Sequence, residues 1–343
     1  MRSTIMRRRL LFSKLLCLAI IVIICGFVNF NGTTATKRNN LLPYDHTNPI
    51  MYDNDYANDE VDWYLMATAS LGAIKYQGIT TTSAVAPFVP GLAINTFKKC
   101  VSDRTRIVEI GRRSGFRHIP EAVAGPIGNL EEPASGKIED TKPLNSPGTQ
   151  AVLEAARKAT SSKPLVICMG GPLTIAVDAY LLDQSIADKM VLAWTGGRYD
   201  SMSDYNGWVD PWAAYIALSR LRLVQFPVDP LLFPGVSKSW IRENFPDNEA
   251  KQFLVPLKLD VVNGDDRDGD GMPAVSVTTP GYVTAVKHVS FAGWKIYNGH
   301  KLPGIKDDPG GRAIVVIKAN SELARSAYKK VFLNPAAWNN KSK

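Results

Sequence analysis

The stretch from Pro49 to Thr82 reads PIMYDNDYANDEVDWYLMATASLGAIKYQGITTT. It opens with a short apolar run at residues 50–52, and apolar residues then recur at about 3.6-residue spacing from Val61 onward. A second β-prone run follows at residues 74–82. This order predicts a strand, an acidic turn, a helix and a second strand, which together form a βαβ unit.

Four carboxylates crowd into the turn and the helix start of this unit: Asp53, Asp55, Asp59 and Glu60. Ligands of open α/β sheets bind at the carboxyl ends of the strands, which is where this turn lies. Carboxylates so close together repel one another unless a cation neutralises them, and calcium or magnesium prefers oxygen ligands. The alternative is a solvated acidic cap on a helix N-terminus. Four acids, two of them before the helix, favour a metal site.

The rest of the chain continues to alternate between strands and helices. Residues 164–169 (PLVICM) are wholly apolar, which is typical of a strand buried in a parallel sheet, and a helical pattern precedes them at 150–159. The sequence therefore predicts an α/β fold with a doubly wound, mostly parallel open sheet and helices on both faces. A single domain is expected over residues 49–335, with a tail at 336–343. The long polar loop at 125–147 predicts a function or disorder.

Residues 1–38 have the composition of a targeting segment. They carry seven Lys and Arg and no Asp or Glu, and an apolar run lies at residues 15–28. That run is shorter than the roughly 18 residues that indicate a membrane span. We therefore expect a secretory signal peptide, with an uncleaved N-terminal signal anchor as the alternative, and a linker at 39–48. The protein is expected to be exported, whether periplasmic, extracellular or membrane-anchored.

The net charge of +8 comes almost entirely from this leader. Without its seven basic residues, 33 Lys and Arg stand against 32 Asp and Glu, so the body of the protein is near neutral. The charge therefore does not indicate nucleic-acid binding. Beyond the leader the cysteines are Cys100 and Cys168, both in apolar runs, which predicts buried free thiols rather than a disulfide scaffold.

The spacing D-x-D-x-x-x-D-[D/E], after an apolar strand and before a helix, resembles the N-terminal signature of the inosine–uridine-preferring nucleoside hydrolases. Those enzymes read roughly D-x-D-P-G-x-D-D, where this chain has Tyr56 and Ala57 in place of Pro-Gly. Phosphatases of the haloacid dehalogenase type also carry D-x-D after a strand. They need Thr or Val four residues after the first Asp, and Ala57 occupies that position. The chain therefore looks like a divergent nucleoside hydrolase.

A glycine-rich turn supports the same resemblance. Residues 170–174 (GGPLT) follow the apolar strand and are similar to the family's T-G-P-L-T-N turn, in which the first backbone carbonyl ligates calcium. Gly170 takes the place of that Thr, and Ile175 replaces the Asn. Since the ligand role needs only main chain, Gly is acceptable there. Without the resemblance, the segment would predict only a tight turn.

A third match lies at residues 204–214 (DYNGWVDPWAA), which resemble the family's E-F-N-x-x-x-D-P-x-A-A. In the family the Glu and Asn hydrogen-bond the ribose hydroxyls, and Asp204 and Asn206 take those places. The alternative for Asn206 is a capping or turn residue. Asp210 and Pro211 predict a helix start, with Asp as the cap and Pro in the first turn.

The last acidic segment is residues 264–276 (GDDRDGDGMPAVS). Its Asp-x-Asp-x-Asp-Gly pattern resembles the first half of an EF-hand loop, but Val277 stands where such a loop needs a bidentate Glu. Nucleoside hydrolases have H-D-P-x-A-V here, which makes Asp270 the counterpart of their late calcium-ligating Asp. The spacing differs by one residue, so Asp268 is the alternative ligand.

The resemblance implies a calcium-dependent N-glycosidase that hydrolyses ribonucleosides, or a related ribosyl compound, to free base and ribose. Calcium would be held by the carboxylates of Asp55, Glu60 and Asp270 and by the carbonyl of Gly170. Asp53 would orient these ligands. The expected partner is therefore a small-molecule nucleoside, and a homo-oligomer is left open.

The resemblance also implies roles in catalysis and substrate binding. Asp55 would be the catalytic residue, because it would take a proton from the attacking water. Asp59, Asp204 and Asn206 would bind the ribose. The transition state resembles an oxocarbenium ion, which carboxylates around the sugar stabilise relative to the neutral ground state.

Two departures from the family favour a different function. The family's T-V-A-G-N turn, whose Asn contacts ribose, reads TTSAV at residues 81–85, and Gly269 stands where the family has a His that protonates the leaving base. The alternative is a catalytically silent protein of the same fold that retains the metal and binds a sugar or another partner.

Overall fold

The computed structural model describes five parts of the chain: residues 41–56, 60–82, 94–257, 268–297 and 299–338. The described residues belong to one compact unit that begins at Leu41. The predicted leader at residues 1–38 and most of the tail lie outside them. No helix within the described ranges is long and apolar enough to cross a membrane.

The strands of the described chain are β1 (Pro49–Asp53), β2 (Lys75–Thr81), β3 (Ala122–Ala124), β4 (Leu165–Met169), β5 (Met190–Thr195), β6 (Arg222–Phe226), β7 (Val283–Tyr297), β8 (His300–Asp307) and β9 (Ala313–Ala319). They form one sheet in the order β3-β2-β1-β4-β5-β6-β9-β7-β8. Every pairing from β3 to β9 is parallel, whereas β7 runs antiparallel to both of its neighbours. The predicted mostly parallel sheet is confirmed.

The helices are α1 (Glu60–Ser70), α2 (Ile94–Arg113), α3 (Pro147–Lys158), α4 (Thr174–Leu182), α5 (Tyr205–Val209), α6 (Pro211–Arg220), α7 (Lys238–Asn244), α8 (Glu249–Leu257), α9 (Gly271–Thr278), α10 (Ser321–Phe332) and α11 (Pro335–Trp338). They cover both faces of the sheet. On β1, Ile50 and Tyr52 join one hydrophobic core and Met51 joins the other, since alternate strand residues point to opposite faces. Helices α3, α4 and α6 pack against the second core.

The predicted linker at residues 39–48 is in part a packed segment. Tyr44 is buried, and its hydroxyl forms a hydrogen bond of 2.8 Å with the Ser276 hydroxyl. The Asn48 side-chain amide donates to the Pro164 carbonyl over 2.7 Å. The compact unit therefore begins before β1.

The two cysteines, Cys100 and Cys168, are buried and free, as the sequence predicts.

The order of the strands determines where a ligand site forms. The chain builds β1, β2 and β3 toward one edge of the sheet, and then returns to place β4, β5 and β6 on the other side of β1. The switch point therefore lies between β1 and β4, and open α/β sheets bind ligands in the crevice there. Asp53 pairs with Met169 at this point, and the Gly170 N–H donates to the Asp53 carbonyl over 2.9 Å.

The loop at residues 125–147 is ordered by two buried aspartates on the helices beneath it. Asp178 of α4 accepts hydrogen bonds from the backbone N–H of Leu144 and of Asn145 over 2.6 and 2.9 Å. Asp210 accepts from the N–H of Leu130 over 2.9 Å. The expectation of disorder is therefore wrong for this loop, because its unpaired backbone donors find carboxylates.

Replacing Asp210 with Ala is expected to lower the free energy of unfolding by about 2–4 kcal/mol. The carboxylate caps α6 at Ala213 N–H over 2.8 Å and also accepts from Leu130 and from the Thr174 hydroxyl, so the substitution leaves three buried donors without an acceptor. Urea unfolding measures the change. The control is Asp183→Ala, which removes the half-buried cap of the turn Gln184–Ile186 and its surface ion pair with Arg157, and which should cost about 1 kcal/mol. Equal losses in both variants would contradict this account.

Candidate functional site

The carboxylate of Asp53, at the end of β1, faces β2. It accepts hydrogen bonds from the hydroxyls of Thr80 and Thr82 over 2.7–2.9 Å, and the side chain is fully buried. Burial raises the pKa of Asp53 to about 6, against the lowering effect of those hydroxyls and of Arg104. The cause of this raised pKa is burial rather than repulsion between neighbouring carboxylates.

Asn54 connects two of the predicted metal ligands. Its side-chain oxygen accepts from the Asp55 N–H over 2.7 Å, and its amide nitrogen donates to the Asp270 carboxylate over 3.0 Å. The same nitrogen donates to the Tyr52 hydroxyl over 2.7 Å. The Asn54 side-chain amide thus contacts both the backbone N–H of Asp55 and the carboxylate of Asp270, two residues that lie 215 positions apart in the sequence.

Gly170 and Gly171 complete this cluster. A Cβ atom on Gly170 would lie 2.7 Å from the Asp270 Cγ and 2.8 Å from the Asn54 Cγ, and one on Gly171 would lie 2.9 Å from the Asp55 nitrogen. Such distances are too short for any side chain, so the close approach requires glycine. The structure therefore brings Asp55, Gly170 and Asp270 together at the switch point.

Asp268, the alternative to Asp270, points elsewhere. It accepts from the Tyr328 hydroxyl over 2.8 Å and from the Gly271 N–H over 3.1 Å, and both bonds are buried. Asp268 therefore begins the turn into α9 and contacts α10, whereas Asp270 contacts Asn54.

Glu60, the first residue of α1, is buried, and one of its carboxylate oxygens accepts from the Val236 N–H over 2.8 Å. Within the described residues, no three His, Cys, Asp or Glu side chains form a group that could hold a metal ion. The carboxylates of Asp55, Glu60 and Asp270 therefore do not converge on one point in this structure. Asp59, predicted to bind ribose, lies outside the described residues.

Asp204 and Asn206 sit at the start of α5. The Asp204 carboxylate caps this helix by accepting from the Gly207 N–H over 2.9 Å, and burial raises the pKa of Asp204 to about 6. The Asn206 amide donates to the carbonyls of Gly170 and Thr195 over 2.7 and 2.9 Å. Asn206 therefore ties the glycine turn after β4 to the end of β5, and its predicted ribose contact stays a prediction.

Solved structures of nucleoside hydrolases superpose on this chain. The chain superposes on an inosine–guanosine nucleoside hydrolase with a TM-score of 0.62 at 13% identity, over 83% of this chain and 98% of that one. A purine-preferring ribonucleoside hydrolase from Gardnerella vaginalis gives 0.60 at 15% identity, over 84% and 99% of the two chains.

The chain has the nucleoside hydrolase fold. An inosine–uridine-preferring nucleoside hydrolase from Bacillus anthracis also superposes, with a TM-score of 0.57 at 14% identity over 84% of this chain and 99% of that one. No sequence model of a protein family matches the chain, and no curated protein matches it. The resemblance found in the sequence motifs is thus confirmed at the level of the fold.

Arg104 on α2 is a residue of this nucleoside hydrolase fold that the motifs do not reveal. Its guanidinium is fully buried, forms an ion pair of 2.5 Å with Asp62 and donates to the Tyr56 carbonyl next to Asp55. It also lies over the Tyr52 ring, 5.3 Å from the centroid. One signal was available in the sequence: Arg104 interrupts the buried stripe of α2 between Cys100 and Ile107.

Two tyrosines, Tyr56 and Tyr205, also flank Asp55, and each is 37% exposed. Their hydroxyls are hydrogen-bonded to each other. Burial, together with the nearby Tyr56 and Asp55, raises the pKa of Tyr205 to about 12. Both phenols are therefore neutral near pH 7.

Thermal stability is expected to rise as the pH falls from 7.5 to 5.5 in the presence of a chelator. Burial raises the pKa of Asp53, Asp204 and Asp210 to about 6, above their values in the unfolded chain. The folded state then binds more protons than the unfolded state in this window, so each group adds about 0.8 kcal/mol between pH 7.5 and 5.5. Scanning calorimetry measures the melting temperature, and Asp53→Asn should flatten its pH dependence. A melting temperature that falls toward pH 5.5 would contradict the expectation.

Proposed function

We propose that this protein is a calcium-dependent N-glycosidase that hydrolyses ribonucleosides, or a related ribosyl compound, to base and ribose. One observation carries the proposal: Asp55, Gly170 and Asp270 meet at the switch point of a nucleoside hydrolase fold. The close approach of these residues requires Gly170 and Gly171, which are the two glycines of the GGPLT turn.

The oxygen donors at this point suit a hard cation. The carboxylates of Asp55, Glu60 and Asp270 would have to turn toward one point to hold the ion, and Gly170, which packs directly against Asp270 and Asn54, would supply its carbonyl. When bound, a calcium ion supplies Lewis-acid chemistry, which lowers the pKa of a neighbouring water. Asp53 would support the ligands through its bonds to Thr80 and Thr82 rather than by contacting the ion.

Asp55 is the proposed general base. It would take the proton of the attacking water while the water oxygen bonds to the anomeric carbon and the N-glycosidic bond breaks. The bonding electron pair leaves with the nucleobase nitrogen, which would take a proton from solvent. Asp59 would bind the ribose hydroxyls, together with Asp204 and Asn206 if their present bonds rearrange. The oxocarbenium-like transition state is favoured by the surrounding carboxylates over the neutral substrate.

A second candidate is a catalytically silent protein that binds a sugar or another partner. Two hydrogen bonds favour it: the Asn54 amide donates to Asp270, and the Asn206 amide donates to the Gly170 carbonyl. Two of the proposed calcium ligands, the Asp270 carboxylate and the Gly170 carbonyl, thus already accept hydrogen bonds from side-chain amides. Gly269, in the place of the family's His, offers only its carbonyl, which accepts from the Thr195 hydroxyl over 2.9 Å.

The two candidates predict different amounts of ribose release when the protein is incubated with calcium and a panel of ribonucleosides. The enzyme should release ribose from at least one of inosine, guanosine, adenosine, uridine or cytidine, as measured by a reducing-sugar assay. If no ribose is released while calorimetry detects binding of ribose or a nucleoside, the silent protein replaces the enzyme. If neither release nor binding occurs, both candidates are excluded.

We also propose that the protein is exported, which the basic and then apolar composition of residues 1–38 supports. Expression of the full chain in a secreting host, followed by N-terminal sequencing, distinguishes the two forms of the leader. A new N-terminus close to residue 38 indicates a signal peptide, whereas an intact Met1 in the membrane fraction indicates an anchor. An intact chain in the cytosol contradicts export.

A further inference from the structure

A cavity lies beside α5, and none of the residues clustered around Asp55 lines it. Its volume is about 380 Å³, within the range of roughly 300–1,000 Å³ that is typical of small-molecule sites. The walls come from α5, the start of α6, the β7–β8 hairpin and the segment at residues 129–132. None of its lining residues is a predicted metal, catalytic or ribose-binding residue, so the nucleoside hydrolase motifs do not account for it.

Three tryptophans line the cavity: Trp208, Trp212 and Trp294. Trp212 and Trp294 are nearly parallel, at 11° with centroids 6.3 Å apart. Trp208 is tilted by 34° against His300, with centroids 5.8 Å apart. Tryptophans gathered at a cavity wall present broad apolar ring surfaces with few rotatable bonds, which favours binding of a ligand with an apolar face.

The polar groups of the cavity are suited to a ligand that carries hydroxyl groups. The side-chain oxygen of Asn129 is buried and has no hydrogen-bond partner among the described residues, and a buried acceptor of this kind needs a donor. The Lys301 ammonium and the Glu132 carboxylate form an ion pair of 2.9 Å, each partly exposed at the cavity. A hydroxyl can both donate and accept, so it can join this pair, and it can satisfy the Asn129 oxygen once the side-chain amide turns toward the cavity. The pair is neutral as a unit, which favours a neutral ligand.

The ring geometry argues against a nucleobase here. A flat base stacks on an open ring face, and although Trp212 and Trp294 are nearly parallel, the Lys301 ammonium lies over a face of Trp294 at 4.3 Å from the centroid. Trp208 and His300 meet at an angle, so they do not form a slot. A sugar ring instead has small apolar C–H patches and hydroxyls around its rim, which match tilted indoles beside separate polar groups.

We propose that this cavity, lined by Asn129, Glu132, Trp208, Trp212, Trp294 and Lys301, is a binding site for a neutral saccharide of one or two rings. The site is separate from the proposed hydrolase centre and does not depend on nucleoside cleavage. Asn206 and Trp208 lie on the same short helix, α5, but Asn206 bonds the Gly170 carbonyl and Trp208 lines the cavity. A saccharide here would thus contact the helix that holds the glycine turn.

The test uses the full chain and a panel of D-glucose, D-galactose, N-acetyl-D-glucosamine and cellobiose, with adenine as the competing ligand. Saturable changes in tryptophan fluorescence and saturation-transfer NMR measure binding. We expect at least one saccharide to bind and Asn129→Leu, which keeps the size but removes the acceptor, to weaken it about tenfold. Trp208→Ala should weaken it at least as much.

The matched control is Trp240→Phe, because Trp240 also lies near a lysine ammonium, 5.8 Å from Lys329, but outside the cavity. It should bind the saccharide as tightly as the unmodified chain. Circular dichroism checks that each variant is folded, and Asn129→Leu serves as the test if Trp208→Ala is not. Absence of binding across the panel, unchanged affinity in Asn129→Leu, or binding of adenine alone would each overturn the proposal.

Discussion

Asp55→Asn is expected to lower kcat/KM for ribonucleoside hydrolysis by about 10³-fold or more and to weaken calcium binding. The substitution keeps the shape of the side chain, and the backbone N–H of residue 55 can still donate to Asn54. What is lost is a negative charge next to Gly171 and the proton acceptor of the proposed general base. Initial rates with saturating calcium measure the first effect, and calorimetric calcium titration measures the second.

Asp268→Asn is the control for this result. Asp268 faces Tyr328 and Gly271, and an amide oxygen can still accept one of those bonds. Calcium affinity and kcat/KM should therefore change little in this variant. If Asp268→Asn loses calcium and Asp270→Asn retains it, the late ligand is Asp268 and the site is built differently. If Asp55→Asn is fully active, Asp55 is not the base.

Arg104→Met is expected to lower the free energy of unfolding by about 3–5 kcal/mol, because it leaves a buried carboxylate at Asp62 without its cation. Both side chains of the pair are 2% exposed or less. The guanidinium also donates to the Tyr56 carbonyl, so the acidic turn should loosen as well. Denaturant unfolding measures the stability, and hydrogen exchange at residues 54–56 measures the turn.

Arg106→Met provides the comparison on the same helix. Arg106 is exposed and lies over the Phe253 ring at 5.4 Å, so its loss should cost less than about 1 kcal/mol. The double variant Arg104→Met with Asp62→Leu removes both charges and should recover most of the stability that Arg104→Met loses. Equal stability of Arg104→Met and Arg106→Met would show that the ion pair does not hold the fold together.

Much of the fold follows from local patterns in the sequence. Residues 50–52 and 164–169 are short apolar runs beside turn residues, and they become the two central strands on either side of the switch point. Asp210 and Pro211 predict a helix start, and Asp210 does cap α6. Such features depend on neighbours within a few residues, so the chain displays them without its tertiary structure.

The site is less predictable, because its contacts join distant parts of the chain. Asn54 meets Asp270 across 216 positions, and this contact, unlike the spacing of the acids, separates Asp270 from Asp268. The Gly170 carbonyl that Asn206 bonds lies 36 positions away, and the Asp62 carboxylate that neutralises Arg104 lies 42 positions away. A motif can nominate these residues, but the partner of each side chain is decided by tertiary packing.

The most direct test of the central claim is the initial rate of ribose release from inosine and uridine as a function of free calcium. Calcium–EGTA buffers set the ion concentration for the purified full chain. A calcium-dependent N-glycosidase predicts no release in EGTA alone, and a rate that rises with calcium and saturates as one site per chain fills. Release that is unaffected by EGTA would contradict the calcium site, and no release at any calcium concentration would contradict hydrolysis of these nucleosides.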